Sequence, residues 1–489
     1  MSVRRDLSTL PFEVHGLANL VVITGILVGM YFLLASGNQG LAFLVSFAIV
    51  VFLVSLVRID FGLGILIIGM LFSPETEVAV VGQRELTIRA EDLLIIALGM
   101  AWVVRRVIMG ACWIETPLNM PIFVFLVALI VSTAAGVAFD YFLDGAQAAF
   151  YIAKLIQFFA IYYFAIHFIE DEAHIHFFLA LFLAVGAAVS IYGLTQVGDV
   201  YRVSAPFEGG TPEPNTFGGY LMTLIALSLP LALYCPRLIT RIMLLGVAGL
   251  AFSALLFTLS RASFLGLLGM LIVLGFLTKS RLIWMTLILF AMFHRGLLPE
   301  GVLERINYTF ASQSGALVTL PVALPFVGDT VHVDSSTFER IDVWRKVMHT
   351  WTLNVYHFFF GWGVTRGNYL DSQYARFLIE IGLVGFTAFG WILWRIFRAA
   401  NWLRQETDDW IIRGFSVGYI ACFVGVLIHS MGTITFYIVR IMEPFWFLTG
   451  VMMWWYLRER EAEESGEHET PVAAGVWQPD LPWRQVDAY

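Results

Sequence analysis

The sequence predicts an all-α polytopic membrane protein of about fourteen transmembrane helices with one large helical loop on the outer face. Three observations predict it. Of 489 residues, 59% are hydrophobic and only 13% charged, and the mean hydropathy is +0.79; soluble domains lie nearer half apolar and a quarter charged. Apolar runs of about twenty residues, the length that crosses a bilayer, recur along the chain. They are continuous, whereas barrel strands alternate, which argues against a transmembrane β-barrel. Lastly, one stretch, 294–372, is too polar to lie in a bilayer and is flanked by apolar segments on both sides.

The apolar runs place spans near 17–36, 40–57, 61–73, 91–108, 119–138, 147–168, 174–197, 217–234, 241–259, 262–278, 281–293, 373–397, 411–431 and 434–457. They group as N-terminal spans in 1–293, the loop 294–372, three further spans in 373–457 and a polar tail 458–489. The start, MSVRRDLSTLPFEVHG, precedes a full-length apolar span rather than the shorter core of a signal peptide, so the first helix is expected to remain uncleaved. Segment 74–90 alternates enough for a small hairpin, and 198–216, rich in Gly and Pro, reads as an ordered turn. Within the loop, STFERIDVWRKVMHTW reads as a helix, with Ser336 and Glu339 spaced as in a capping box. Phe338, Ile341, Trp344, Val347 and Met348 form its apolar face, with Arg340 expected on the other side. The acidic tail reads as disordered.

Arg and Lys in short loops set the orientation. With the N-terminus in the cytoplasm, Arg4, Arg5, Arg58, Arg105, Arg106, Arg237, Arg241, Lys279, Arg281, Arg395, Arg398, Arg404, Arg413, Arg458 and Arg460 fall inside. Short outer loops then hold only Arg84, Arg89, Arg202 and Arg261, and the long loop lies outside. The acidic inner segment IEDEAHIH weighs little in this rule. Both termini are expected in the cytoplasm. Only Lys154, Lys279 and Lys346 are lysines, and every other basic residue is arginine. A coding bias gives such an excess, and so does selection for a donor fork that fits phosphate.

The candidate residues collect toward the outer face. Arg202 lies in YRVSAPFEGG, followed by Glu213 and Asn215 in PEPNTFGGYL. Arg261 sits in TLSRASFLG with almost no loop around it. Such an arginine faces a polar cavity or a partner, unless it merely snorkels to headgroups. Lys154, Arg376 and Arg440 lie inside spans near their outer ends, and Glu443 is spaced to pair with Arg440 on one helix face. Together with Arg340 these cations would line one electropositive cavity suited to a phosphate or pyrophosphate. No HExxH, GxSxG or P-loop occurs, the histidines lack metal spacing, and no metal or cofactor is expected. Cys112, Cys235 and Cys422 show no metal spacing, and no disulfide is expected.

In order and spacing, these segments resemble the O-antigen ligase and O-antigen/exopolysaccharide polymerase superfamily of bacterial inner-membrane glycosyltransferases. The resemblance runs from about Asp92 to Trp455 and rests on YGLTQVGDVYRVSAPFEGGTPEPNTFGGYL, TLSRASFLGLL, ERIDVWRKVMHTW, FFFGWGV and DSQYARFLIEIGLVGF. It implies helices around an outward cavity covered by the long loop, an undecaprenyl-diphosphate-linked glycan donor and no metal. It also implies chain-length regulator and flippase proteins as partners. Carried over by position, Arg202, Arg261 and Arg340 would bind pyrophosphate. Ligases of the superfamily usually place a histidine where this chain has Asp371-Ser372, which favours a polymerase over a ligase that delivers glycan to lipid A-core.

Donor cleavage puts negative charge on the leaving pyrophosphate, which preorganised arginines stabilise. A carboxylate would take the proton of the acceptor hydroxyl, with Asp371, Glu213 and Glu339 as candidates; Asp371 is equally placed to cap the helix starting near Gln373. Asn215, Trp362, Tyr369 and Tyr374 are candidate glycan contacts, although aromatics also gather at bilayer interfaces. The alternative from another class is a transporter or flippase for a lipid-linked glycan. A transporter favours a two-sided path and internal repeats, whereas the cations here gather at one end.

Overall fold

The computed structural model describes residues 39–73, 75–81, 84–109, 113–139, 145–208, 213–297, 301, 303, 318–320, 331–333, 335–368 and 370–465; in 39–44, 75–81, 84–88, 108–109, 294–297, 318–320, 331–333, 335–341 and 465 it describes the backbone alone. The expected span 17–36, Cys112, Tyr369 and the tail after 465 lie outside the described residues.

The architecture is helical. In order come α1 (Gln39–Val57), α2 (Ile59–Phe72), α3 (Ala90–Met109), α4 (Asn119–Ala138), α5 (Gly145–Phe168), α6 (Glu172–Thr195), α7 (Pro214–Tyr234), α8 (Leu238–Phe257), α9 (Arg261–Thr278) and α10 (Arg281–Leu297). Then follow α11 (Ser335–Thr352), α12 (Val355–Phe360), α13 (Gln373–Glu406), α14 (Trp410–His429), a 3₁₀ turn (Thr435–Tyr437) and α15 (Val439–Ser465). Eight of these, α4 to α9, α13 and α14, are long and apolar enough to cross a membrane, and shorter apolar helices cover Val45–Val57, Ile59–Phe72 and Arg281–Phe293. The expected hairpin is present as β1 (Glu75–Val81) paired antiparallel with β2 (Arg84–Arg89). Val318–Leu320 and Val331–Val333 pair likewise in the long loop.

Side-chain caps set several helix starts. Asp171 accepts from the His174 N–H, Asp409 from those of Ile411 and Ile412, and Ser260 from that of Ser263, each satisfying a backbone donor that a helix start leaves over. The centre of the bundle is α7, 89% of whose apolar window is buried; it packs against α8, α14, α9 and α15.

The spans alternate in direction. At one end, Arg440 reaches the carbonyls of Leu71 and Pro206, and Ser132 donates to the Glu380 carbonyl. At the opposite end, Arg105 donates to the Leu56 carbonyl, the Ile114 N–H to His167, and the Trp454 indole to the Ile169 carbonyl. Residues that the sequence assigns to one side therefore meet at one end.

A break in α13 anchors the end of the long loop. Gly382 has φ 61° inside the helix, which frees two carbonyls one turn earlier. The Trp362 N–H donates to Ile379 O at 2.8 Å and the Gly363 N–H to Glu380 O at 2.9 Å. Gly361 has φ 77°, and a Cβ there would stand 2.5 Å from Glu380 O; a Cβ at Gly382 would stand 2.5 Å from the Gly361 nitrogen. Gly382→Ala is expected to cost on the order of 2–4 kcal/mol, through strain at positive φ and backbone overlap. Its apparent unfolding midpoint in detergent should fall by several degrees relative to Gly390→Ala, a helical position with open space around it.

The packed face of α11 is rotated from the expected one. Val347 is buried with Leu370, Ala375 and Ile379, and Val343, Trp344 and Trp362 pack against them. Arg345, Lys346 and His349 are exposed, and Lys346 pairs with Asp342 at 2.7 Å. Arg340, four residues before Trp344 and seven before Val347, thus shares their helical stripe rather than lying opposite it. The reason is local: α11 docks on the start of α13, which offers the apolar surface.

Candidate functional site

The turn after α6 is fixed by side chain and backbone together. Gln196 exchanges two hydrogen bonds with Ser204 at 3.1 Å, and the Val203 N–H donates to the Phe257 carbonyl. This holds Arg202, half-buried, against the junction of α8 and α9. Its Nε donates to Thr258 O at 2.8 Å and its Nη2 to Asn215 Oδ1 at 3.3 Å. Ser260 Oγ donates to the same Asn215 oxygen at 2.8 Å and accepts from Ser263 Oγ at 2.8 Å. Arg261, half-buried, is the first residue of α9.

The chain turns from α8 into α9 through Leu259 at φ 50°, a left-handed conformation that costs a non-glycine residue on the order of 1 kcal/mol or more. That turn is what brings Arg202, Asn215, Ser260 and Arg261 together with almost no loop. The N-termini of α7 and α9 both meet here, and their partial positive charge adds to the arginines.

Glu213 precedes α7; its Oε2 accepts from Thr216 Oγ1 at 2.9 Å, and its N–H donates to Glu208. Asp371 is exposed beside the start of α13. Ser372 holds the N-cap position of that helix, and the Gln373 N–H goes to Ser430 O at 3.1 Å. Trp362 is half-buried with its ring stacked on His357 at 3.6 Å between centroids. The Tyr374 hydroxyl is held by Leu427 O at 2.6 Å. Glu339 and Arg340 lie on α11, where the backbone alone is described.

Three expected cations are committed to protein groups. Arg376 is fully buried; its Nε meets Glu380 Oε1 at 3.0 Å, its Nη2 donates to Asn368 Oδ1, and its guanidinium lies 4.2 Å from the centre of the Tyr437 ring. Glu380, equally buried, accepts from the N–H groups of Thr365 and Gly367 and from the Tyr437 hydroxyl. Lys154 meets Asp92 Oδ1 at 2.5 Å, and Gln157 donates to the same oxygen. Arg440 is spread over the carbonyls of Leu71, Ser73, Pro206 and Phe207. The Arg440–Glu443 ion pair expected from spacing is not formed: carbonyls at the ends of two segments draw the guanidinium away, and neither Glu443 oxygen has a hydrogen-bond partner.

Sequence reasoning passed over Glu380 and His429. Glu380 carried a usable signal, an ionisable residue inside a span four residues after Arg376. His429 sat at the end of an apolar run and looked interfacial; the two threonines after it, Thr433 and Thr435, were the only local hint. Among the described residues no three or more His, Cys, Asp or Glu side chains are arranged to hold a metal ion. The chain matches no family model, and no curated protein matches it.

Proposed function

We propose that this protein is a glycosyltransferase that joins undecaprenyl-diphosphate-linked oligosaccharide units into O-antigen or exopolysaccharide at the outer face of a bacterial inner membrane. In this reading the chain crosses the membrane about fourteen times, counting the weak spans, with both termini in the cytoplasm. The long loop, 294–372, covers the site from the periplasm. One observation carries the proposal: Arg202 is locked to Thr258 and Asn215 at the very start of the Arg261 helix. Two guanidinium groups and two helix N-termini at a bilayer edge make a site for a dianionic headgroup.

The diphosphate lies against Arg202 and Arg261, with Arg340 closing from α11. Breaking the bond between the anomeric carbon and the phosphate oxygen leaves a diphosphate, whose growing charge the arginines stabilise. The acceptor hydroxyl attacks the anomeric carbon, and its proton goes to a carboxylate. Asp371, exposed beside the start of α13, takes that role ahead of Glu213. Trp362, stacked on His357 with the Arg366 guanidinium over its ring, is the aromatic contact for a sugar in this reading. Lys154, Arg376 and Arg440 serve the frame around the site.

Asp371→Asn is expected to lower polymer formation about a hundredfold, the smaller end of general-base effects, with an unfolding midpoint close to wild type because asparagine keeps a side-chain oxygen there. Full activity in this variant would make Asp371 structural. In a deletion strain, gel analysis of surface glycan distinguishes the readings. Single repeat units without longer chains support a polymerase, whereas full-length polymer retained on the lipid carrier supports a ligase. Repeat units trapped inside the cell support a flippase.

A further inference from the structure

A second basic patch lies at the end of the bundle opposite Arg202 and Arg261. α7 finishes there at Tyr234, α8 begins at Leu238, α9 finishes at Thr278 and α10 begins at Arg281. Arg237, Lys279 and Arg281 are exposed in and beside the two short turns, and Arg241 is exposed one turn into α8. No Asp or Glu occurs in 214–299, so these four helices offer the cations no partner of their own. Arg413 of α14 lies over the Tyr234 ring at 5.9 Å, and Asp408 offsets its charge at 4.0 Å.

Beside the patch is a cavity of about 320 Å³, at the lower end of the roughly 300–1,000 Å³ of ligand pockets. α7 is its floor, since it packs against both α8 and α9. Leu229 and Leu233 of α7, Leu245 of α8, Leu271 of α9 and Leu287 of α10 line it, and Arg241 and Thr286 are its polar lining residues. Leu271 lies two turns before the end of α9, so the cavity runs roughly 10 Å inward at 1.5 Å per residue. Trp284 closes α10 onto α9: a Cβ on Gly275 would stand 3.0 Å from its indole, and its ring meets Phe276 edge-on at 4.9 Å.

Arg241 stands where patch and cavity meet. Its Nε and Nη2 donate to the Cys235 carbonyl at 3.1 and 2.6 Å. This fixes the guanidinium while using two of its five N–H donors. α8 starts without a side-chain cap, so its first N–H groups add positive potential at the same end. Ile242 and Met285, each next in sequence to a lining residue, are exposed apolar side chains, as on a surface that faces lipid. A soluble anion would leave the apolar cavity unused, and a neutral lipid would leave the cations unpaired. An anionic headgroup joined to an acyl chain satisfies both.

We propose that this groove holds one anionic phospholipid of the phosphatidylglycerol type, its phosphate on Arg241, Lys279 and Arg281 and one acyl chain against the leucines. Basic pockets between membrane helices recognise anionic headgroups in this way. The site is separate from the glycosyl-transfer reading, because the diphosphate cluster lies at the other end of α7. In the orientation given above, the lipid comes from the cytoplasmic leaflet.

The test is native mass spectrometry of the purified full-length protein in detergent, titrated with dioleoylphosphatidylglycerol, dioleoylphosphatidylcholine or undecaprenyl phosphate, with the unfolding midpoint measured in parallel. The wild type is expected to retain one phosphatidylglycerol at least about tenfold more tightly than phosphatidylcholine. Lys279→Asn combined with Arg281→Gln should weaken that binding about thirtyfold, roughly fivefold for each cation near a bilayer surface. Asparagine tolerates the φ of 53° at Lys279, and both side chains are exposed, so the midpoint without lipid should stay close to wild type. Leu245→Trp keeps every charge but fills the groove, and should weaken phosphatidylglycerol binding at least fivefold.

If the double variant does not fold, Arg237→Gln decides for the charge, with a loss of about fivefold; if Leu245→Trp does not fold, Thr286→Trp on the facing wall decides for the groove. A preference of the wild type for phosphatidylglycerol below threefold overturns the proposal. So does a loss below threefold in the deciding charge variant. A loss below threefold in the groove-filling variant reduces the site to headgroups adsorbed on a basic surface and overturns it as well. Tighter binding of undecaprenyl phosphate than of phosphatidylglycerol assigns the groove to the polyprenyl carrier instead. None of these outcomes bears on the diphosphate site, which Arg261→Ala tests.

Discussion

Arg261→Ala is expected to reduce glycan polymerisation by about 10²–10³-fold, the cost of removing one preorganised group that stabilises transition-state charge, while the protein still inserts and keeps its unfolding midpoint. Arg261 stands at the first position of α9, and the helix start is capped by Ser260 independently of the arginine side chain. The Ser260 cap is therefore kept when the guanidinium is lost. Arg202→Ala should cost at least as much activity and some stability too, because its Nε and Nη2 tie the turn after α6 to Thr258 and Asn215. Arg202→Lys is expected to recover little: one ammonium cannot reproduce a planar fork that bonds two protein oxygens and still faces a phosphate. Quantified polymer in a complemented deletion strain, beside membrane-inserted protein, checks all three. Polymer at near-normal level from Arg261→Ala would remove the diphosphate assignment.

Arg376→Ala is expected to destabilise the protein by about 3–5 kcal/mol, because it leaves Glu380 as a buried carboxylate without its cation. The pair joins α13 to the loop 364–368 and to the 3₁₀ turn through Thr365, Gly367, Asn368 and Tyr437. Glu380→Gln should cost less than Glu380→Ala, since the amide oxygen still accepts from the two loop N–H groups and the amide NH₂ can donate to the Tyr437 hydroxyl oxygen. Unfolding midpoints and the yield of monodisperse protein in detergent are the measurements. An Arg376→Ala protein as stable as wild type but inactive would instead place this arginine at the substrate.

The contrast between these two arginines shows what the sequence could and could not convey. Apolar runs set α1 to α10 and α14 within a few residues, and the start of α13, because bilayer thickness and backbone hydrogen bonding leave a span little freedom; α13 runs on past the expected end at 397 to Glu406. The alternation in 74–90 was enough for the β1–β2 hairpin. The Arg202, Asn215, Ser260 and Arg261 cluster was legible because each residue sits at a span end, where a charge has to find a polar neighbour. Lys154 and Arg440 showed the same signal, a cation near a span end, yet their partners lie on other segments, whereas Arg376 meets Glu380 four residues on in its own helix. Asp92 meets Lys154 from α3 and Pro206 meets Arg440 from a loop; pairings between distant segments leave no local pattern. Periodicity placed α11, but not its rotation, since the docking surface at Leu370, Ala375 and Ile379 belongs to another helix. The burial of His429 was hidden for the same reason: its side chain packs beside Gly219 and Gly266, on α7 and α9.

The central claim is that this chain transfers glycan from a polyprenyl diphosphate using arginines on its own surface. Purified protein in detergent or liposomes, incubated with undecaprenyl-diphosphate-linked repeat units, tests it most directly. The account predicts a ladder of lipid-linked glycans lengthened by whole repeat units, release of undecaprenyl diphosphate in equal amount, and no ladder from Arg261→Ala. Repeat units that stay single in the presence of folded wild-type protein and the matching donor, with no diphosphate released, would contradict it.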